Sequence, residues 1–267
     1  MEETEQGKNG ERTGDGSVFC FPDETDMDGG LADGYNASQA ISAAMVRGGD
    51  TLKYLILLST AYAMFRMVHW TLGFSYFTQL SNLLVAGVVL WQLISPSEKA
   101  FRAKLAATVS IFVTFLVYLL VLAPVMPGGI LAAYRQDHWA SLCMHLVTPA
   151  LTVCDFLLVD CRKGTCVRHK RDALYAAIPP LAYFLLILFL RALGVDWAGM
   201  VAPYMFLNYA APAGWFGFRP ETVGPRSAGI GVFYVLLIML GLFLLLGEML
   251  SRLAARISAR ISGGIRP

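Results

Sequence analysis

The chain has 267 residues, of which 56% are hydrophobic and only 15% charged, with a mean hydropathy of +0.56. A soluble domain of this length needs far more polar surface, so the composition excludes an ordinary soluble protein and points to an integral membrane protein. The formal net charge of +2 conceals an asymmetry: residues 1–50 set Lys8, Arg12 and Arg47 against eleven acidic residues, whereas the rest sets eighteen basic against eight acidic.

The acidic segment 1–50 is rich in Gly, Asp and Glu and has no apolar period, which predicts a disordered tail. It lacks the basic-then-apolar head of a secretory signal. A span needs about 20 apolar residues. Six segments qualify: Lys53–Trp70, Phe74–Ile94, Leu105–Met126, Trp139–Val159, Ala173–Leu193 and Ile230–Leu250. The expected fold is an all-α integral membrane protein, a bundle of six transmembrane helices over residues 51–251, followed by a basic tail over 252–267.

Loop charge orients this bundle. Lys99, Arg102 and Lys104 follow the second span, Arg162, Lys163, Arg168, Lys170 and Arg171 follow the fourth, and Arg252, Arg256, Arg260 and Arg266 follow the last. The other loops carry Arg135, and Arg219 with Arg226. The positive-inside rule then places both termini in the cytoplasm, in agreement with six spans, and the cell membrane is the expected location. Asn36-Ala37-Ser38 has the form of a glycosylation acceptor but falls on the cytoplasmic side. Asp155 and Glu248 lie near the inner ends of their spans and are expected to pair with the basic loops.

Cys143 and Cys154 stand in apolar segments and read as small core residues. Cys161 and Cys166 flank a basic loop near His169, too loosely spaced for a zinc site, so neither metal nor cofactor is expected. Nothing in the chain suggests a nucleic-acid partner, and its expected partners are membrane lipids.

The stretch Ser75-Tyr76-Phe77-Thr78-Gln79-Leu80-Ser81-Asn82-Leu83-Leu84 opens a span with polar groups. Such groups persist in a bilayer only with partners or beside a cavity. Ser75, Thr78 and Asn82 are spaced three and four apart and share a helix face, with Ser81 at its margin. With the amino terminus inside, Thr78 lies roughly 6 Å and His145 roughly 9 Å below the outer ends of their helices. Arg66 and His69 close the first span, and Arg191 lies near the outer end of the fifth. Pro149, four residues after His145, removes the helical partner of the His145 carbonyl and predicts a kink. Pro179-Pro180 interrupts the fifth span in the same way. The loop at 194–229 holds Trp197, Tyr204, Phe206, Tyr209, Trp215 and Phe216, which suit an interfacial belt or a lid.

A threonine is a nucleophile only when a base takes its proton and a donor meets the oxyanion. Thr78 and His145 supply nucleophile and base if their helices pack together. Asn82 or Ser75 can donate, and Arg66, His69 and Arg191 can bind a substrate carboxylate. Two other readings are open: a transporter or channel with Arg66, His69, His145 and Asp155 as a polar pathway, and a non-catalytic lipid-binding protein in which Thr78 and His145 only pack.

The Ser75–Leu84 stretch, His145-Leu146-Val147-Thr148-Pro149 and Tyr204-Met205-Phe206-Leu207 resemble the androgen-induced and androgen-dependent membrane protein family, including its bacterial branch. The resemblance covers residues 53–250. It implies a multi-pass threonine hydrolase that cleaves fatty acid esters of hydroxy fatty acids, with Thr78 in the nucleophile position and His145 in the base position. The implied partner is a lipid ester with long acyl chains.

Overall fold

The computed structural model describes residues 50–67, 73–136, 138–163 and 171–263. The acidic tail, the glycosylation-type sequence, His69, Cys166 and His169 lie outside these residues. The compact unit that holds the described residues begins at Met45.

It is all-helical, with no strand among the described residues. Helix α1 covers 50–67. Next come α2 (Phe77–Ile94), α3 (Glu98–Leu122), the short α4 (Gly129–Arg135), α5 (Ala140–Val159), α6 (Asp172–Ala192) and α7 (Val232–Gly263). Five of these, α2, α3, α5, α6 and α7, are long and apolar enough to cross a bilayer, the mark of a multi-pass membrane protein. The expected count was six. The first expected span is helical over 50–67, but it carries Asp50, Lys53 and Arg66 and is not among the five.

These helices are sorted inside out relative to a soluble bundle. The side of α2 turned inward carries Thr78, Gln79, Ser81 and Asn82 in its first turns and Val85, Val88 and Val89 further on, while Leu83, Leu90, Trp91 and Ile94 are exposed. Lipid is as apolar as leucine, so exposed leucines cost nothing there, whereas polar groups must find partners within the bundle. Helix α3 is the axis and packs against α2, α5, α6 and α7. Its first turn is capped by Ser97, whose hydroxyl accepts from the Ala100 N–H at 3.2 Å. Leu105, Val109 and Val113 of α3 pack with Phe156 of α5, Ala176 of α6 and Phe243 of α7. On another side, Ala107 and Ile111 meet Ile56 of α1 and the three valines of α2.

Helix α3 begins two turns before its expected start because Lys104 is not a loop residue. It is fully buried, and its ammonium bonds Asp155 at 2.6 Å. Lys53 of α1 reaches Asp155 at 2.7 Å and Asp160 at 2.9 Å, and the Gln92 amide donates to Asp160 at 3.3 Å. Asp155 therefore pairs with two lysines inside the bundle rather than with a basic loop. Glu248 pairs with Arg252 one turn on, along the exposed extension of α7 that also carries Arg256 and Arg260.

The prolines act unequally. Around His145, α5 widens into a π-helical turn over Cys143–Val147, where Pro149 leaves a carbonyl without its usual amide. Helix α6 continues through Pro179 and Pro180 without interruption. The loop over 193–231 is held by its own backbone pairs, among them Arg219 N–H to Gly229 O and Gly231 N–H to Gly217 O. Gly231 is required there, since a Cβ would stand 2.5 Å from the Trp215 carbonyl oxygen. Trp197, Ala202 and Leu207 of this loop pack against Tyr183 and Ile187 of α6 and Val232 of α7. Trp197 is thus a buried anchor rather than part of a belt, while Trp215 and Phe216 are exposed.

Candidate functional site

The first turn of α2 is where the polar residues converge. Its leading N–H groups precede the first intrahelical bond, which runs from Leu80 to Tyr76. Two side chains fix its approach: the Trp197 indole donates to Ser75 Oγ at 2.7 Å, and the Tyr183 hydroxyl donates to Ser75 O at 3.0 Å. Tyr204 sits against Thr78, three residues on, its hydroxyl 3.4 Å from both Thr78 Oγ1 and the Thr78 amide nitrogen. Ser75 thus belongs to the anchor of the helix start, and the loop reaches Thr78 itself.

Thr78 is buried and lines a cavity of about 70 Å³. Its wall is apolar, with Phe77, Val113, Leu122, Phe184 and Phe243 among the lining groups, and its polar atoms come from Thr78, Thr114, Tyr183 and Tyr204. The space equals that of about two waters.

Behind Thr78 runs a polar seam through three helices. Ser81 Oγ donates to Thr78 O at 2.9 Å and lies 3.1 Å from Thr114 Oγ1 on α3. The Asn82 amide donates to Thr78 O at 2.9 Å and to Met144 O on α5 at 3.3 Å. Both amide protons are engaged, which makes Asn82 a brace between α2 and α5 and leaves it no proton for an oxyanion. A further contact, Ser59 Oγ to Thr148 Oγ1 at 2.9 Å, ties α1 to α5.

His145 follows Met144 and is buried. Its ring lies flat on Tyr118 of α3, centroids 3.5 Å apart and planes 3° from parallel. The Tyr118 hydroxyl meets Ala133 O at 2.9 Å and Ser141 Oγ at 2.7 Å, so this ring is locked from α4 and α5. Nδ1 of His145 finds no hydrogen-bond partner among the described residues. Thr78 and His145 share no hydrogen bond there either. Asn82 joins their backbones, bridging the Thr78 carbonyl to that of Met144, but neither His145 nor Arg66 is among the residues that line the Thr78 cavity.

The cationic residues expected beside them behave differently. Arg66 is half-buried on α1, with Nε sealed and lacking a partner among the described residues. Arg191 turns to its own loop, donating to Val195 O at 3.3 Å and standing 3.7 Å from Asp196. The described residues hold no group of three or more His, Cys, Asp or Glu able to bind a metal ion.

Sequence reasoning passed over Tyr118, the placement of Tyr204 beside Thr78, and the Lys53–Lys104–Asp155–Asp160 network. Lys104 had a signal. It sits in the inward stripe Ala100, Lys104, Ala107, Ile111, where a lysine must be paired. Tyr118 had a weaker one, a phenol in an apolar run that needs a partner. Tyr204 had none, because its partner lies 126 residues away. No family model matches this chain, and no curated protein or solved structure matches it either.

Proposed function

We propose that the protein is an intramembrane hydrolase of lipid esters with Thr78 as nucleophile and His145 as its base. The observation that carries this reading is the position of Thr78 on the wall of a mostly apolar cavity inside the bundle. An apolar wall suits acyl chains, and Asn82 ties the Thr78 backbone to that of Met144, next in sequence to the buried histidine, which supports acyl transfer if the two side chains close on a substrate. Within this reading the substrate class is a fatty acid ester of a hydroxy fatty acid, Arg66 binds the substrate carboxylate, and no cofactor takes part. His69 and Arg191 are the other residues assigned to the substrate carboxylate in this reading. The first helix is a sixth span, both termini are cytoplasmic, and the cell membrane is the site of action.

The relay reading is weaker on one specific ground. Between His145 and Asp155, α5 carries no charged residue, and its Thr148 and Thr152 hydroxyls are bonded to Ser59 and to the Thr148 carbonyl. Asp155 is also committed to two lysines. The non-catalytic reading has one observation on its side, the missing Thr78–His145 hydrogen bond, though catalytic bonds are often long before substrate binds. Hydrolysis of a panel of long-chain lipid esters by the purified protein and by Thr78→Ala separates the readings. The hydrolase reading expects turnover that falls by about 10³-fold or more in the variant. Retained lipid binding without turnover in the wild type would establish the non-catalytic one.

A further inference from the structure

We propose that Tyr204 is a catalytic residue, the oxyanion donor for acyl transfer at Thr78. The inference rests on the hydrolase reading above and deepens it. Three polar groups converge on one corner of the cavity: the Thr78 hydroxyl, the Thr78 N–H and the Tyr204 hydroxyl. An O–H to O contact of 3.4 Å is long against the usual distance of about 2.7–2.8 Å, so the phenol is adjacent to Thr78 but only weakly held by it. A third oxygen entering this corner can recruit the phenol proton.

The ring is fixed while the hydroxyl is free to be recruited. Phe206 stacks on it at 5.0 Å and 9°, Tyr76 meets it edge-on at 5.6 Å, and Tyr183 packs at 6.3 Å. Seven residues earlier in the same loop, the Trp197 indole is bonded to Ser75 Oγ. Burial, partly offset by the hydrogen bonds from Thr78, pushes the phenol pKa up to about 12. The group is therefore protonated, and a donor, at any pH at which the protein works. Asn82, the sequence candidate for this role, has both amide protons committed elsewhere.

The step balances as follows. The Thr78 oxygen forms a bond to the ester carbonyl carbon, and its proton passes to His145. The carbonyl π pair moves onto oxygen, which accepts hydrogen bonds from the Tyr204 O–H and the Thr78 N–H. When the pair returns, the C–O bond to the departing hydroxy lipid breaks, and that alkoxide takes the proton from His145. Water then releases the acyl group from Thr78 by the same sequence. Tyr204 keeps its proton throughout and forms its short bond only with the transition-state oxygen.

An interaction made only in the transition state lowers kcat and leaves KM alone when it is removed. The test is Tyr204→Phe, which deletes the hydroxyl and keeps the ring with its packing. Turnover of long-chain lipid esters is measured per folded protein in matched detergent. The expected result is a fall in kcat of about 10²–10³-fold with KM within about twofold. If Tyr204→Phe does not fold, 3-fluorotyrosine at position 204 replaces it; this keeps the ring and the hydroxyl but lowers the phenol pKa. Its activity must then fall on an alkaline limb at lower pH than in the wild type, and an unmoved limb contradicts the role. A Tyr204→Phe protein with wild-type kcat, beside an inactive Thr78→Ala, overturns the role and leaves the hydrolase reading standing. A wild type that hydrolyses no lipid ester overturns both.

Discussion

Thr78 is held by its backbone and available at its side chain. Its carbonyl takes two hydrogen bonds, from Ser81 and Asn82, and its hydroxyl faces a phenol and a cavity. The commonest fate of threonine in a membrane helix is to bond a carbonyl one turn back, as Thr108, Thr114 and Thr152 do here. Thr78 stands in the first turn, where extended Tyr76 separates α2 from the short 3-10 turn Gly73–Ser75, and its hydroxyl meets Tyr204 instead. Asn82→Leu tests the brace. It removes the amide that joins Thr78 O to Met144 O and costs about 1–3 kcal/mol, because two buried carbonyls lose a donor. Thermal unfolding in detergent measures it, and an unchanged midpoint contradicts the brace. The raised phenol pKa of Tyr204 also carries a sign. A group whose folded pKa exceeds its unfolded value of about 10 stabilises the fold fully below that pH and loses the contribution as pH rises toward about 12. The unfolding midpoint of the wild type should therefore drop more between pH 9.5 and 11.5, about the range of that titration, than that of Tyr204→Phe. Parallel drops would show that the phenol is not buried as described.

The elements differ in what fastens them. At the end away from Thr78, α1, α2, α3 and α5 are joined by two lysines, two aspartates and Gln92, a network with equal positive and negative charge. Removing one member leaves a buried charge uncompensated, whereas removing a bonded pair together does not. Lys104→Met should cost about 3–5 kcal/mol, and adding Asp155→Leu should restore most of it, because Lys53 and Asp160 remain paired. Thermal unfolding of the single and double variants decides this, and a double variant worse than the single would contradict it. Helices α6 and α7 are fastened by close approach instead. A Cβ at Gly247 would stand 2.8 Å from Ala176 Cβ, so Gly247→Ala must push the helices apart, at about 1–3 kcal/mol. Much of this was legible beforehand. The five long helices follow the apolar runs to within a few residues at most ends, and the face of Ser75, Thr78 and Asn82 does turn inward. The start of α3 was misplaced because a lysine reads as a loop residue until its aspartate, 51 positions away, is brought beside it. The π-helical turn at His145 was expected only as a kink, since the sequence shows the lost amide but not how the backbone absorbs it.

Across the described residues, the charged network and the Thr78 corner form two separate layers, and bonded hydroxyls such as those of Thr108, Thr148 and Thr152 are among the polar side chains between them. Gln92 follows Thr78 by fourteen residues, about 21 Å of helix, and valines fill the α2 positions between the cavity layer and the charge layer. The separation lets the lower layer hold the bundle rigid while the loop over 193–231 covers the cavity layer. Burial of Lys104 removes one charge from the topological count. Lys99, Arg171, Arg252, Arg256 and Arg260 still favour one side, so cytoplasmic termini remain the expected orientation. Single cysteines placed near residue 10 and residue 265 of a chain lacking other reactive thiols should resist an impermeant maleimide in sealed cells and react after permeabilisation. Labelling from outside would invert the arrangement and move Thr78 to the inner leaflet. The central claim, that Thr78 and His145 act together on a lipid ester, is tested most directly by a double-mutant cycle. Lipid-ester turnover is measured for the wild type, Thr78→Ala, His145→Ala and the double variant, each normalised to folded protein. A nucleophile and its base work as one unit, so each single variant should lose about 10³-fold or more and the double variant hardly more than either. Near-wild-type turnover in a well-folded Thr78→Ala protein, or losses that simply multiply in the double variant, would contradict the account.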